Sequence, residues 1–524
     1  MTHRTTTPDP PFWRLLKALL AVACLVPFLL PSMLPLTDLP GHLARLHILL
    51  DGEHSKYLSL YYEARLRLVP NLGSDLLMLG LSRVMSLDAA SRLILGAAIL
   101  GSAWGTLSIS RQLHGARQSI ALLAFVFVFN WFLLWGFLNY LLGLGMALPM
   151  VALWLQRLKD EEDRLCKPEP WFHLLFAGLA ALLWVCHLVA FGIYLILVGA
   201  LTLHAAWHSF TGRGRLANSL CATLLRLLHC LPALALTGWY LATGEGQTIT
   251  TWSTWQTKII SLIGPFRLYY RFFDLATAIG VCGAIGLGLV TRRLRVHHGA
   301  LLATALIFAV YLAMPYTLSS SALADQRLTV PLALSGVAAL AWTERAGPRL
   351  RAVTGLAIAA LAFLRIGALT RDWLQADRVY AEHLKALDHV PKGARIASFA
   401  VVPCAPSIPV ATLANFQAYA VLKRDAFVNV LFDVPLYQVM RVRYNRDTQL
   451  FRNPSQLVYP RECAIDLPTP YALEARLAYI PDQRFDYVWI VGTSLLRHTP
   501  RPNWAPVYRD ADSILYRVAP WPGP

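Results

Sequence analysis

The stretch Thr37–Arg45, TDLPGHLAR, brings together a carboxylate, an imidazole and a guanidinium. If Asp38 closes one segment and Pro40 opens a helix, His42 and Arg45 fall about one turn apart on a single face, close to the carboxylate. Such a set can serve as acid, base and phosphate binder. A plainer reading has Asp38 cap the helix through its side chain and Arg45 reach the lipid headgroups over its apolar stem. Further cations that could meet a phosphate are Arg65, Arg67, Lys258, Arg267, Arg271 and Arg327. Arg271 and Arg327 are preferred, because each stands where a polar loop meets an apolar segment, although interfacial arginines commonly act as anchors.

Two polar residues interrupt apolar runs: His187 in LLWVCHLVAFGIY and Asn139 in LWGFLNYLLGLG. At membrane depth such groups mark a cavity or an inter-helix bond. Asn139 reads as a packing residue beside Gly143, and His187 as a residue lining a cavity for acceptor or lipid. Asp325 and Arg327 are spaced for a local salt bridge, next to Tyr311 and Tyr316. Trp252, Trp255, Tyr269 and Tyr270 suit an interfacial belt or sugar stacking.

The elements that position these residues are set by lipid. Of 524 residues 56% are hydrophobic and only 15% charged, with mean hydropathy +0.48, well below the roughly 25% charged usage of soluble domains. Apolar runs near the ~20 residues needed to cross a bilayer recur from Phe12 almost to Leu369. The first ends in a Pro-punctuated VPFLLPSMLPL that predicts a kink. Others follow at about 71 to 86, 92 to 110, 118 to 134, 139 to 156, 172 to 207, 217 to 241, 272 to 291, 299 to 317, 328 to 343 and 351 to 369. With 172 to 207 long enough for a tight hairpin, eleven to thirteen spans are expected. Between the first two, residues 37–71 show roughly helical apolar spacing too polar to span, and predict two short amphipathic helices along the membrane surface.

The net charge is +17, and short arginine-rich loops account for much of it: Arg213 and Arg215, then Arg292, Arg293 and Arg295, then Arg345, Arg349 and Arg351. The positive-inside rule makes these loops and the N-terminus cytoplasmic, and nucleic acid is not needed as a partner. Loops 37–71, 242–271 and 317–327 and the C-terminal tail then converge outside. In the early half, Arg83 and Arg92 compete with Arg111 and Arg117 for the cytoplasmic side, so one segment between 71 and 134 must break the alternation. From about Asp372 the composition is that of a soluble α/β unit, 372–524, with a helix over Leu374–Val390 and strands at Arg395–Val402, Ala426–Phe432, Tyr487–Val491 and Ser513–Val518. It carries no nucleotide loop. No Cys or His spacing suggests a zinc site, and most cysteines sit in apolar segments as small hydrophobes. Cys404 and Cys463 could pair in an extracytoplasmic tail.

This layout resembles the C-type (GT-C) membrane glycosyltransferases, the superfamily of protein O-mannosyltransferases and of aminoarabinose and arabinosyl transferases. In these the first extracytoplasmic loop opens on an acidic motif and forms short surface helices. The matching residues are Asp38 and, four positions on, His42, where relatives often carry Asp-Glu or Asp-x-Asp followed by His or Tyr. The second acid is missing, which argues against a metal-dependent mechanism, though a divalent metal stays open. The resemblance covers residues 1 to about 370. It implies transfer of a sugar from a polyprenyl-phosphate donor to a glycan, lipid or protein acceptor at the outer face. Asp38 would be the general base with His42 beside it, and Arg45, Arg271 and Arg327 would bind the donor phosphate. The Arg- and Leu-rich composition suggests a bacterial inner membrane. A transporter or flippase would want broken helix pairs with buried charges, and a non-catalytic envelope scaffold would rely on the tail.

Overall fold

The computed structural model describes residues 10–164, 170–213, 224–243, 249–268, 270–318, 321–402, 412–434, 438–448, 450–451, 457–460, 473–495 and 499–519. Cys404 and Cys463 lie outside them. Seven helices are long and apolar enough to cross a membrane, and Ser119–Trp135, Pro170–Cys186 and His298–Ala313 are shorter apolar runs. One more run joins Gln326–Leu328 to Thr329–Ala338. These make eleven runs among the described residues, and the chain is a multi-pass membrane protein. Large apolar side chains cover its flanks: in the helix Arg271–Val290, Phe272 is 85% and Val290 82% exposed, which is stable only against lipid.

Packing in the bundle depends on small residues. Gly101 and Gly105 of Leu87–His114 face Gly145 and Pro149 of Leu138–Arg164, and a Cβ on Gly145 would come within 2.6 Å of the Ala98 carbonyl oxygen. Close backbone contact of this kind is how apolar helices associate in lipid. The segment 172 to 207 is the tight hairpin. Near one end of Leu138–Arg164, Gly143 faces Leu183, His187 and Ala190. Near the other, Trp154 stacks on Phe172 and Phe176 and hydrogen-bonds Thr202. The chain therefore reverses at His187.

The element that breaks the alternation is 71–86. Its helix, Gly73–Leu81, is nine residues long, far short of the ~20 that span. The chain turns back near the level at which it left, so Arg83 and Arg92 lie at the same end as residues 37–71. Arg92 is used structurally there: it pairs with Asp88 at 2.5 Å and donates to the carbonyls of Phe28, Pro31 and Ser32. These include orphan acceptors at the end of the first helix. Arg111 and Arg117 lie at the opposite end, where Ser119 Oγ donates to the Arg351 carbonyl at 2.9 Å and Leu294–Val296 pairs antiparallel with Leu340–Trp342.

A last span separate from a helix at 374–390 is not what forms. One 37-residue helix, Pro348–Leu384, runs through both, about 55 Å at 1.5 Å per residue. Asp377, beyond lipid on this helix, accepts from Ser32 N at 2.8 Å, Ser32 Oγ at 2.6 Å and Met33 N at 2.8 Å, tying it to the end of the first span. The membrane part and the C-terminal sheet thus share a rod. The sheet runs Phe427–Val428, Arg395–Val401, Tyr487–Val491, Ser513–Val518, Trp504–Arg509. The first three strands are parallel, Ser513–Val518 is antiparallel to both its neighbours, and Leu457–Val458 extends beside the far end of Arg395–Val401.

Residues 37–71 do not lie on a lipid surface as two amphipathic helices. The first helix, Leu39–Asp51, is buried nearly all round, wedged between the bundle and the sheet domain. The second is only Leu58–Tyr61, followed by a strand, Tyr62–Ala64, that pairs antiparallel with Met440–Val442. Tyr61 and Tyr62 turn to Phe427 and Tyr444 instead of lipid.

Candidate active site

Gly136 begins the local geometry. Its φ of +75° is one that L side chains rarely adopt, and it lets the 134–136 turn lie flat against the chain leaving the first span. Thr37 N donates to Leu134 O at 3.1 Å and Asp38 N to Trp135 O at 2.9 Å. Asp38 then occupies the N-cap position of Leu39–Asp51, but its side chain makes no capping bond. The carboxylate turns instead toward the sheet domain, where the buried Asn415 donates to Oδ1 at 3.0 Å. Capping is therefore not what holds Asp38.

Asp38, His42, Arg45, Asn139, His187 and Arg327 line one cavity of about 320 Å³ between the first loop, the bundle and the sheet domain. Its other walls are largely apolar, with Trp135, Phe137, Leu188, Tyr316, Leu323 and Phe432 among them. Burial in these walls pushes the Asp38 carboxyl up to about 7, against the pull of Arg327, Arg45 and the Asn415 hydrogen bond. His42 is driven the other way, well below the usual imidazole range, by burial first and by Arg45 second.

Arg45 does not snorkel. It is 4% exposed; its Nη2 lies 2.8 Å from both oxygens of Asp75 and 2.7 Å from His42 Nδ1, and Nη1 donates to Gln438 Oε1 at 2.5 Å. Much of its charge is met by Asp75. Arg327 makes no local bridge to Asp325, because Asp325 pairs with Lys258 at 3.0 Å in a buried contact. That lysine's remaining hydrogens go to the carbonyls of Tyr311 and Met314, so Lys258 is a structural cation. Arg327 faces the cavity, its guanidinium 4.7 Å from the Phe137 ring centroid and its Nη1 donating to Ser321 Oγ at 3.0 Å. Tyr140 OH fixes the backbone below it by donating to Arg327 O at 2.6 Å.

Neither His187 nor Asn139 is at mid-span. His187 caps the returning leg of the hairpin, its Nδ1 accepting from Val189 N at 3.2 Å, with its ring edge-on to Tyr140. Asn139 opens the helix Leu138–Arg164 and bridges to the short helix Gly73–Leu81, accepting from Ser74 N at 2.7 Å and donating to Asn71 O at 3.0 Å. It remains a packing residue, through caps rather than beside Gly143, whose close neighbour is Ala190. Arg271 is the one residue of the expected set outside the cavity: it is exposed at the start of Arg271–Val290. Arg267 stacks on Trp131 at 3.9 Å, Arg65 pairs with Glu63 and Arg67 donates to Gln438 O.

Asn415 and Gln438 were invisible to a reading of local pattern. They sit 377 and 393 residues from the side chains they hold, in a domain with no motif of its own. Among the described residues no group of three or more His, Cys, Asp or Glu is placed to hold a metal. Asp75 is engaged by Arg45 and Asp325 by Lys258, while Asp38 lines the cavity.

No family model matches the chain, and no curated protein matches it. Two solved structures are similar over nearly its whole length. ArnT from Cupriavidus metallidurans bound to undecaprenyl phosphate is 13% identical, covering 98% of this chain and 99% of that one, with a TM-score of 0.44. The same protein in the apo state is 12% identical, covering 96% and 97%, with a TM-score of 0.42.

Proposed function

We propose that this protein is a membrane glycosyltransferase that moves a sugar from a polyprenyl-phosphate donor to a hydroxyl acceptor at the extracytoplasmic face, with Asp38 as general base. The observation that carries the proposal is the Asp38 carboxylate in a largely apolar cavity beside Arg327, at the end of the bundle opposite the arginine-rich loops. A carboxyl held near 7 is balanced between taking a proton and releasing it at working pH, which is what a general base needs. The acceptor hydroxyl would give its proton to Asp38 as its oxygen bonds the anomeric carbon, and the bond from that carbon to the phosphate oxygen would break. The donor phosphodiester leaves as a lipid phosphate monoester with one more negative charge, which Arg327 and the less available charge of Arg45 would stabilise. The N-terminus would then be cytoplasmic, and the lipid tail of the donor would lie along the apolar flank of the bundle.

Transfer of label from a radiolabelled polyprenyl-phosphate-sugar pool, in membranes holding wild type or Asp38→Asn at matched levels, tests the reading. Incorporation by the wild type and its loss in the variant are expected. Equal incorporation by both, or none by either, would overturn it.

A further inference from the structure

The hydrogen bonds around His42 fix which of its nitrogens carries the proton. Arginine has hydrogens on each guanidinium nitrogen and nothing with which to accept. Arg45 Nη2 lies 2.7 Å from His42 Nδ1, so the arginine donates and Nδ1 accepts. A neutral imidazole that accepts at Nδ1 carries its hydrogen on Nε2. Arg45 cannot turn away easily, since Asp75 and Gln438 hold it from two other sides. Carboxylate, guanidinium and imidazole thus form a chain that sets one tautomer, as second-sphere partners do for ligating histidines. Among the described residues no protein group takes up Nε2, and His42 lines the cavity one helical turn from Asp38.

We propose that His42 acts as a neutral hydrogen-bond donor, presenting Nε2–H to an oxygen of the bound donor substrate, phosphate or sugar hydroxyl, and takes no proton in the reaction. The identity of that oxygen rests on the glycosyl-transfer reading; the tautomer does not. The acid, base and cation in TDLPGHLAR then divide differently from their residue types. Asp38 is the base, His42 the uncharged donor, and Arg45 the group that holds His42 in role.

The test has two arms on the full-length protein. With histidine-selective ¹⁵N labelling, the ring signals lost in His42→Gln should report a neutral ring protonated on Nε2 at every pH from about 5.5 to 8, the range over which an ordinary histidine titrates. Protonation on Nδ1, or an imidazolium appearing in that range, would overturn the proposal. In the transfer assay, His42→Ala should lower kcat by about 100-fold, the scale of losing one aimed donor, and His42→Gln, whose carboxamide N–H can stand in for Nε2–H, should recover most of that loss. Equal losses in the two variants would also overturn it. A wild type inactive toward polyprenyl-phosphate sugars would instead sink the glycosyltransferase reading, and the labelling arm would still decide the tautomer.

Discussion

At the scale of residues, the pair Asp38 and Asn415 ties acid–base chemistry to a contact across the whole chain. Asp38 is raised to about 7 by burial, with the Asn415 hydrogen bond among the influences holding it down. As the general base proposed above it must be ionised, so kcat/KM should rise with pH through an apparent pKa near 7 and level off above it. Removing the donor in Asn415→Leu takes away a bond that favours the carboxylate. The ascending limb should then move to higher pH by about one unit, the equivalent of a lost charge-assisted bond of ~1.5 kcal/mol. A pH profile of the variant checks this, and a limb that stays in place would remove Asn415 from the account. The TDLPGHLAR motif was legible because three chemistries fall within two turns of chain. That Arg45 is held by Asp75, and that Asp325 prefers Lys258 to its neighbour Arg327, was not, because both pairings join segments with polar or apolar stretches between them.

Elements explain why the buried charges persist. Lys258 and Asp325 are 5% and 0% exposed, and the pair joins the loop before Arg271 to the turn that carries Arg327. Two charges taken from water are tolerable only while each satisfies the other. Lys258→Met should leave Asp325 buried without its cation and lower stability by about 3–5 kcal/mol. The double replacement Lys258→Met with Asp325→Leu should recover most of it. Thermal unfolding in detergent reads the difference, and a double variant no better than the single would mean the loss is one of packing. Element types were legible where one solvent dominates. Spans were visible as apolar runs, and Tyr487–Val491 and Ser513–Val518 as β-rich segments. The pattern at Tyr57, Leu60, Tyr61 and Leu66 misled, because Tyr57 and Tyr61 pack on the sheet domain while Leu60 and Leu66 stay exposed, so the four share no helical face. The helix Pro348–Leu384 was split in two for a related reason: polarity changes where it leaves the membrane while the backbone hydrogen bonds continue.

The whole molecule is organised around one end of the bundle, where the first loop, the His187 turn, the Arg327 turn and the sheet domain meet. Segment 71–86 decides which basic loops share that end. Arginines usually mark the cytoplasmic side, but Arg92 is taken up by Asp88 and three carbonyls and gives no orientation signal of that kind. Single cysteines introduced at Arg65 and at Arg83, in a background stripped of native thiols, should therefore label from the same face. Labelling from opposite faces would mean 71–86 crosses after all. The sheet domain closes this end through the first loop. Tyr62–Ala64 adds a strand to Met440–Val442, Tyr62 OH accepts from Val428 N at 3.0 Å, and His47 Nε2 lies 2.9 Å from Asp425. Since Asn415 and Gln438 come from that domain, its seat on the loop is part of the site. Tyr62→Ala removes an aromatic of the kind that dominates such contacts and leaves the Val428 amide unpaired, a loss of about 3–5 kcal/mol at that seat. The expected result is a domain released sooner by limited proteolysis, together with a transfer rate that falls while the helices of the bundle stay folded. Proteolysis faster without any fall in transfer would separate the domain from the chemistry, and leave Asp38 to be held by the bundle alone.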